Sequence, residues 1–291
     1  IASMSEAEDY EEIPDSEKLR IARHLLMNSP PGQIGFVLSD IKRLVPAHLI
    51  TSEWVDDAMS AYCAANHVTV GSADGSRRIA LSTDTQVSGS QFIDTHAREV
   101  VDVDWEAMRV TTSRPVADEL DPSLEEQRAA VLKALKVYVQ LRHGEATHAA
   151  VEVGTKEGEL RIALGAEKLN LSNFWVGRFQ SSWRVRVAGS SARLSGRVAI
   201  LCHYFEDGNV QMNNAKDVPE AEIAASDAAS LAKGVVDKIA AAEDGLQSAL
   251  GDMYRSLTRQ AFKDMRRPLP VTMTKMNWNP AAHAMVRTLR K

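Results

Sequence analysis

One apolar stripe runs at helical spacing through the last third of the chain, and it constrains the fold more than any other feature. Its members are Ala224, Ala228, Leu231, Val235, Ile239, Ala242, Leu246, Ala249, Met253 and Leu257. The spacing predicts one helix from about residue 219 to 259. About 40 residues at 1.5 Å each give about 60 Å, more than a small sheet needs. The pattern therefore favours a helix that spans two subunits over one that only covers its own core.

The segment ahead of this stripe has a hydrophobic period of two, which is typical of β-strands. Trp183, Val185 and Val187 share one face, and arginines alternate with them. The turns between the apolar runs are short, and pairs such as Asp207-Gly208 suit tight hairpins. We therefore expect an antiparallel meander. Its strands are expected at residues 147–153, 159–166, 173–187, 193–205 and 209–213.

Helical patterns dominate the first 67 residues. Three helices are expected, the first capped by Ser16, the second over residues 34–45 and the third from Thr51-Ser52 to about 66. Pro30-Pro31-Gly32 ends the first helix. Because the connections are short, we expect an antiparallel helical set.

The stretch from residue 68 to 145 is less regular. Residues 68–70 and 78–81 are predicted to pair across a turn, 99–104 alternate weakly, and 113–122 indicate a loop. Asp121 is the expected N-cap of a fourth helix that ends near residue 142. Arg128 interrupts the apolar stripe of this helix, which we interpret as packing of its aliphatic stem.

These patterns predict an α+β fold. In order, it would have N-terminal antiparallel helices, an antiparallel meander, a long helix across the sheet and a mobile amphipathic tail helix. The predicted segments are 1–15, 16–67, 68–145, 146–260 and 261–291. In the first of these, Ile1-Ala2-Ser3 precede Met4 and look like an expression remnant, and the acidic residues after them predict disorder.

Charge is distributed unevenly over a chain whose formal net charge is −5. Residues 1–20 hold seven acidic and two basic side chains, whereas residues 252–291 hold nine basic and two acidic ones. A basic end on an acidic body predicts an anionic partner for that end.

The last residues also have helical character, with Asn279 as N-cap and Pro280 at the first helical position. Ala282, Met285, Val286 and Leu289 form a short apolar face, which suits docking into a partner's groove.

Motifs of catalysis and of cofactor binding are absent from the sequence. It contains no phosphate-binding loop, dinucleotide fingerprint, nucleophile elbow or zinc-protease motif, and its eight histidines lack ligand spacing. Cys63 and Cys202 form no disulfide framework, and no run is long and apolar enough for a membrane span. We expect no enzyme, no cofactor, no metal and no export.

Three segments, in order along the chain, resemble the alpha subunit family of F-actin-capping protein (CapZ alpha). They are the N-F-W-V-G-R…S-S-W segment at residues 173–183, the H-Y-F-E-D-G-N-V-Q hairpin at 203–211, and the R-R-P-L-P-V-T-M-T-K…W-N segment at 266–279. The Pro30-Pro31-Gly32 turn also fits. The resemblance runs from about Ser16 to the end and is weakest over residues 68–125.

The resemblance implies one half of a pseudo-twofold heterodimer with a capping protein beta subunit. It also implies calcium-independent capping of the barbed ends of actin filaments, at the cytoplasmic cytoskeleton. The resemblance further implies possible regulators, namely phosphoinositides, proteins with a capping-protein-interaction motif, and myotrophin-like proteins.

The same resemblance places the actin-contacting residues near the end of the chain. They are the basic residues Lys263, Arg267 and Lys275, the aromatic Trp278, and the apolar face of Ala282, Met285, Val286 and Leu289. Lys263 and Arg267 are also the expected positions for inhibition by phosphoinositides. Met273 stands where the family commonly has arginine, so one contact charge is lost.

Two other readings stay open at this point. A capping subunit of an actin-related filament, as in dynactin, would have the same sequence pattern. A nucleic-acid-binding protein would use the basic end on phosphates, but the acidic body and the lack of a recognised module disfavour it. We expect no nucleic-acid partner.

Overall fold

The first three helices pack around one apolar core. The computed structural model describes residues 13–116, 119–144, 147–205 and 210–256. Helix α1 covers Asp15–Met27, α2 covers Ile34–Leu44 and α3 covers Ser52–Ala65. The hydroxyl of Thr51 accepts a hydrogen bond from the Trp54 amide at 3.2 Å and caps α3, which begins at Ser52, where the sequence predicts its start. Helix α1 begins one residue before Ser16, after Pro14 and without a side-chain cap.

A six-stranded sheet of short strands follows these helices. It consists of β1 (Thr69–Gly71), β2 (Arg78–Ala80), β3 (Gln86–Ser88), β4 (Gln91–Asp94), β5 (Glu99–Asp104) and β6 (Arg109–Pro115). The spatial order is β2-β1-β6-β5-β4-β3, and the β1–β6 pair is parallel. The expected pairing of β1 with β2 is confirmed. The sheet and the helices share a core that includes Leu26, Met59, Tyr62, Phe92 and Trp105.

The loop expected at residues 113–122 is partly wrong. Residues 113–115 belong to β6 and pair with β5, where Glu99 lies opposite Pro115. A single 3₁₀ turn, Pro122–Leu124, then leads into α4 (Glu125–His143). The Asp121 carboxylate accepts a hydrogen bond from the Ser123 amide at 2.8 Å, so the predicted cap opens this turn.

The second sheet is the antiparallel meander that the period-two pattern predicts. Its five strands are β7 (His148–Lys156), β8 (Glu159–Asn170), β9 (Trp175–Ala188), β10 (Ser191–Tyr204) and β11 (Val210–Ala224). They lie side by side in chain order, and every neighbouring pair is antiparallel. Helix α4 packs on β7 through Val131, Leu132, Leu135 and Val139. The tight turn that the sequence predicts at Asp207-Gly208 lies outside the described residues.

The predicted start of the long helix is wrong. Helix α5 covers Ala228–Ser256, and residues 219–224 belong to β11. Pro219 fits there because β11 is an edge strand and its pairing with β10 shifts register between Leu194 and Gly196. The helix starts where the Asp227 carboxylate accepts a hydrogen bond from the Ser230 amide at 2.7 Å.

Helix α5 has 29 residues, roughly 44 Å at the usual rise. The chain divides into two units, residues 1–240 and 241–291, and the last part of α5 belongs to the second. In the first unit, the start of α5 packs on β11 near Gly234, where an added Cβ would lie 3.2 Å from the side chain of Ile223.

A buried ion pair joins α3 to the second sheet. Arg178 on β9 donates from Nε to Glu167 at 2.7 Å and from Nη2 to the Tyr62 hydroxyl at 2.8 Å. That hydroxyl donates in turn to the Ser29 carbonyl at 2.9 Å. Arg178 is the arginine of the N-F-W-V-G-R segment, so this motif has a structural role here.

Arg128 is buried through more than its aliphatic stem. Its guanidinium donates to the carbonyls of Thr95 and Val153 at 3.1 and 3.2 Å and pairs with Glu125. The arginine therefore ties α4 to both sheets, and its place in the apolar stripe follows from these hydrogen bonds.

Candidate subunit interface

The contact residues that the resemblance places near the chain end lie outside the described residues. They are Lys263, Arg267, Lys275, Trp278, Ala282, Met285, Val286 and Leu289. The predicted tail helix lies outside them too. Both stay predictions. The described residues add candidate surfaces for contact with another chain.

The outer edge of β11 is the first of these surfaces. The strand pairs with β10 from Val210 to Ala224, and within the described ranges it has no strand on its other side. An edge of 15 residues leaves a row of backbone N–H and C=O groups available for pairing with another chain. Most of its side chains are exposed. The second sheet can therefore be extended by a strand of a partner.

The second surface is an apolar groove between α4 and the start of α5. Its volume is roughly 930 Å³. The floor is apolar and the rim is charged; the lining includes Ala130, Ala134, Val137, Leu141, Ala232 and Val236, with Glu126, Lys133, Asp227, Lys233 and Asp237 around them. Val137 and Leu141 are 56% and 81% exposed. An apolar floor inside a polar rim is typical of a protein-binding surface.

Helix α4 therefore has two apolar faces. One face packs on β7, and the other lines the groove through Ala130, Ala134, Val137 and Leu141. We did not identify the second face from the sequence, although its members recur at spacings of three and four residues. The stripe that includes Leu135 and Val139 is sufficient by itself to predict the helix, so the helical pattern does not require a second apolar face.

The N-terminal helices also expose apolar side chains. Phe36 and Leu44 of α2 are 71% and 77% exposed, and Leu25 of α1 is about half exposed. Their neighbours Leu26, Leu38 and Ile41 are buried in the shared core. These helices thus present a second apolar side, which is typical of a protein-binding surface.

The buried titratable groups serve packing. Burial, with Asp94 nearby, raises the pKa of Glu152 to about 8. This carboxyl accepts hydrogen bonds from the amide and hydroxyl of Thr95 at 2.9 and 2.5 Å. Burial likewise raises the pKa of the Cys63 thiol, which keeps it protonated and unreactive.

The described part of the chain has neither a metal-binding cluster nor a membrane-spanning helix. There, no three His, Cys, Asp or Glu side chains come together in a way that could hold a metal ion. No described helix is long and apolar enough to cross a membrane.

Known proteins are similar to this chain in sequence and in fold. The family model of the F-actin capping protein alpha subunit matches residues 22–288. F-actin-capping protein subunit alpha of Dictyostelium discoideum is 27% identical over 267 residues, 91% of this chain and 94% of that protein. The Arabidopsis thaliana subunit alpha is 28% identical over 292 residues, 96% of this chain and 94% of that protein.

The fold is also similar to that of solved structures. One of them is the homodimeric actin capping protein alpha subunit from Plasmodium berghei, with a TM-score of 0.72 and 22% identity over 88% of this chain and 98% of that one. The family match covers both sheets, helices α2 to α5, the second half of α1 and most of the basic end of the chain. The chain therefore belongs to the F-actin capping protein alpha subunit family, which is not a family of enzymes.

Proposed function

We propose that this chain is the alpha-type subunit of a dimeric capping protein that binds the barbed ends of actin filaments without calcium. Bound there, it blocks the addition and loss of actin subunits. The observation that carries the proposal is the family match, which continues to residue 288 and so includes the basic end with Lys263, Arg267 and Lys275.

Non-covalent binding is sufficient for this activity. A basic segment speeds encounter with an acidic surface and sets its orientation. An apolar helix docked in a groove slows dissociation. In the proposal, Lys263, Arg267, Lys275 and Trp278 make the first contact. The tail helix then docks through Ala282, Met285, Val286 and Leu289.

The partner subunit is a capping protein beta subunit in this proposal. A strand of the partner extends the second sheet at the edge of β11, and its long helix fills the groove between α4 and α5. Helix α5 in turn reaches over the partner's sheet. The exposed Val137 and Leu141 support this arrangement, because a partner helix would bury both.

A second copy of this chain is the alternative partner. The Plasmodium berghei relative is described as homodimeric. An edge strand and an apolar groove can serve a twofold homodimer as well as a pseudo-twofold heterodimer. Mass measurement of the chain expressed alone and with a candidate beta subunit distinguishes the two.

The experiment that tests the function is elongation of pyrene-actin from filament seeds. The purified dimer should inhibit elongation from barbed ends, both with calcium and with a calcium chelator. Lys263→Ala with Arg267→Ala should weaken inhibition by about tenfold or more, because two charge-assisted contacts are lost, while the dimer stays folded. The matched control is Lys156→Ala with Lys168→Ala, which removes two exposed lysines of the second sheet.

Several outcomes count against this proposal. Unchanged inhibition by the Lys263→Ala, Arg267→Ala dimer would refute the assignment of these residues. Absence of inhibition by the wild-type dimer would favour a cap for an actin-related filament.

Regulation is proposed at the same two basic residues, Lys263 and Arg267, where phosphoinositides would compete with actin. Proteins with a capping-protein-interaction motif, or myotrophin-like proteins, are the other proposed regulators.

A further inference from the structure

The hairpin formed by β9 and β10 carries charge of one sign. Residues 175–204 include five arginines and no lysine, aspartate or glutamate, in a chain whose formal net charge is −5. Arg178 is buried in its ion pair with Glu167. The other four arginines have exposed side chains; they are Arg184, Arg186, Arg193 and Arg197. The hairpin is therefore a local concentration of exposed positive charge on an acidic protein.

The four exposed arginines share one face of the second sheet. Residues directly opposite each other on neighbouring strands point to the same face, and here Arg186 lies opposite Arg193 and Arg184 lies opposite Ser195. The residues that alternate with the arginines point to the other face and are buried; they are Trp183, Val185, Leu194 and Val198. The apolar face of the hairpin thus serves the core, and the arginine face is turned to solvent.

The helical region contacts this face of β9 at Ser182, whose hydroxyl donates to Nε2 of His67 at 3.2 Å. Arg184 and Arg186 are the next residues of β9 on the same face, and both are exposed. Ser195, opposite Arg184 on β10, is small. The guanidinium groups therefore stand above short side chains, which leaves room for a ligand to lie between them.

Two pairs of arginines lie directly opposite each other. Arg184 lies opposite Arg161 of β8, and Arg186 lies opposite Arg193 of β10. Like charges directly opposite on adjacent strands lower the stability of a sheet, by up to about 1 kcal/mol for each pair. One buried carboxylate, that of Glu159, pairs with both Arg161 and Arg186. A further anion over this face would relieve the remaining repulsion.

The carboxylates at the margin of the face offset the exposed charges only weakly. Arg193 pairs with Glu220 at 3.5 Å and Arg197 pairs with Asp217 at 2.7 Å, and all four side chains are more than half exposed. Exposed ion pairs of this kind contribute at most about 1 kcal/mol, so a ligand can replace them. Arg184 forms no ion pair with any carboxylate in the described part of the chain.

We propose that this arginine face binds an extended acidic segment of a protein partner. Alternate side chains of an extended segment are about 6.8 Å apart, the same spacing as that of Arg184 and Arg186 along β9. A guanidinium group holds a carboxylate through two parallel hydrogen bonds. A longer nucleic acid is disfavoured, because its phosphates would meet Asp217 and Glu220 at the margin. The inference does not depend on filament capping, whose proposed residues follow position 260.

Titration of a fluorescent twelve-residue peptide of alternating glutamate and threonine with the purified full-length dimer, at physiological salt, tests the inference. Anisotropy should show saturable binding with a dissociation constant below about 1 mM. Arg184→Gln with Arg193→Gln should weaken binding by about tenfold or more, since two charge-assisted contacts are lost. Arg109→Gln with Arg114→Gln is the matched control, because it removes two exposed arginines of β6. It should change the affinity less than about twofold.

The basic residues after position 260 also attract an acidic peptide, so a second measurement locates the binding site. A copy of the peptide that carries a benzophenone group should cross-link to residues 182–197. Cross-links confined to residues beyond 256 would overturn the proposal, and so would equal effects of the two double variants. Tighter binding of a single-stranded RNA of the same charge would assign the face to nucleic acid instead.

Discussion

A close contact between two backbones holds the helical region against the second sheet. Gly165 on β8 lies so near His67 that an added Cβ would be 2.0 Å from the His67 carbonyl oxygen. His67 has a φ of 47° and donates from Nδ1 to the Leu164 carbonyl at 3.0 Å. Its Nε2 accepts from the Ser182 hydroxyl at 3.2 Å. Glycine at 165 is thus required by the approach of residue 67.

Gly165→Ala should therefore destabilise the protein by about 3 kcal/mol, because the methyl group can be placed only by moving backbone. Gly154→Ala on β7 is the matched control, since an added Cβ there has no atom within 4 Å. Urea unfolding followed by circular dichroism compares the two variants. Equal stability of Gly165→Ala and Gly154→Ala would contradict the contact.

The buried carboxyl of Glu152 makes stability depend on pH. Its pKa of about 8 in the folded protein lies above the ordinary value of 4.5. Between these values the folded protein holds a proton that the unfolded chain releases. The contribution to stability is therefore full below about pH 4.5 and is lost as the pH rises towards 8. The charged and titratable groups around it are Asp94, Arg77 and His96.

Glu152→Gln should remove this part of the pH dependence. The slope for one proton is at most about 1.4 kcal/mol per pH unit. Between pH 5.5 and 7.5 the variant should gain about 2 kcal/mol in free energy of unfolding relative to wild type. Glu157→Gln removes an exposed carboxylate of the same hairpin and should follow wild type. Parallel curves for wild type and Glu152→Gln would refute the assignment.

At the scale of elements, the boundary between β11 and α5 shows where the secondary-structure preference of the local sequence does not match the structure. Residues 219–224 are rich in alanine and glutamate, which suit a helix. The sheet overrides this preference, because Ala221 lies opposite Leu194 and Ile223 opposite Ala192 on β10. The meander itself was predictable, since its strands are long and its turns short. In the first sheet, the pairing of β1 with β2 and the alternation of β5 were predictable. Strands β3 and β4 were not, because three or four residues are too few to show a period, and β6 was not, because only its Val110 is buried.

Helix α4 offers a test of the groove as a subunit interface. Val137→Asp places a carboxylate on the apolar floor, and burying it against a partner should weaken subunit association by at least about tenfold. Ala129→Asp introduces the same charge at an exposed position of α4 outside the groove and should associate normally. Analytical ultracentrifugation measures both. Normal association of Val137→Asp would show that the groove is not part of the interface.

At the scale of the whole molecule, the apolar surfaces left exposed are those of one subunit of an assembly. Three surfaces are suited to burial against another chain: the edge of β11, the groove beside α4 and the outer side of α2. The candidate interface was only partly predictable: the long helix indicated a second subunit, but the groove needs the fold. The contact residues near the chain end come from the family resemblance, because a basic end alone does not distinguish actin from other anionic partners.

Single-filament microscopy tests the central claim most directly. Filaments with distinguishable ends are grown from actin monomers, and the purified dimer is then added. Growth at barbed ends should stop for as long as the dimer stays bound, while pointed-end growth continues. If barbed ends continue to grow at an unchanged rate with saturating dimer, this chain is not a subunit of an actin-filament cap.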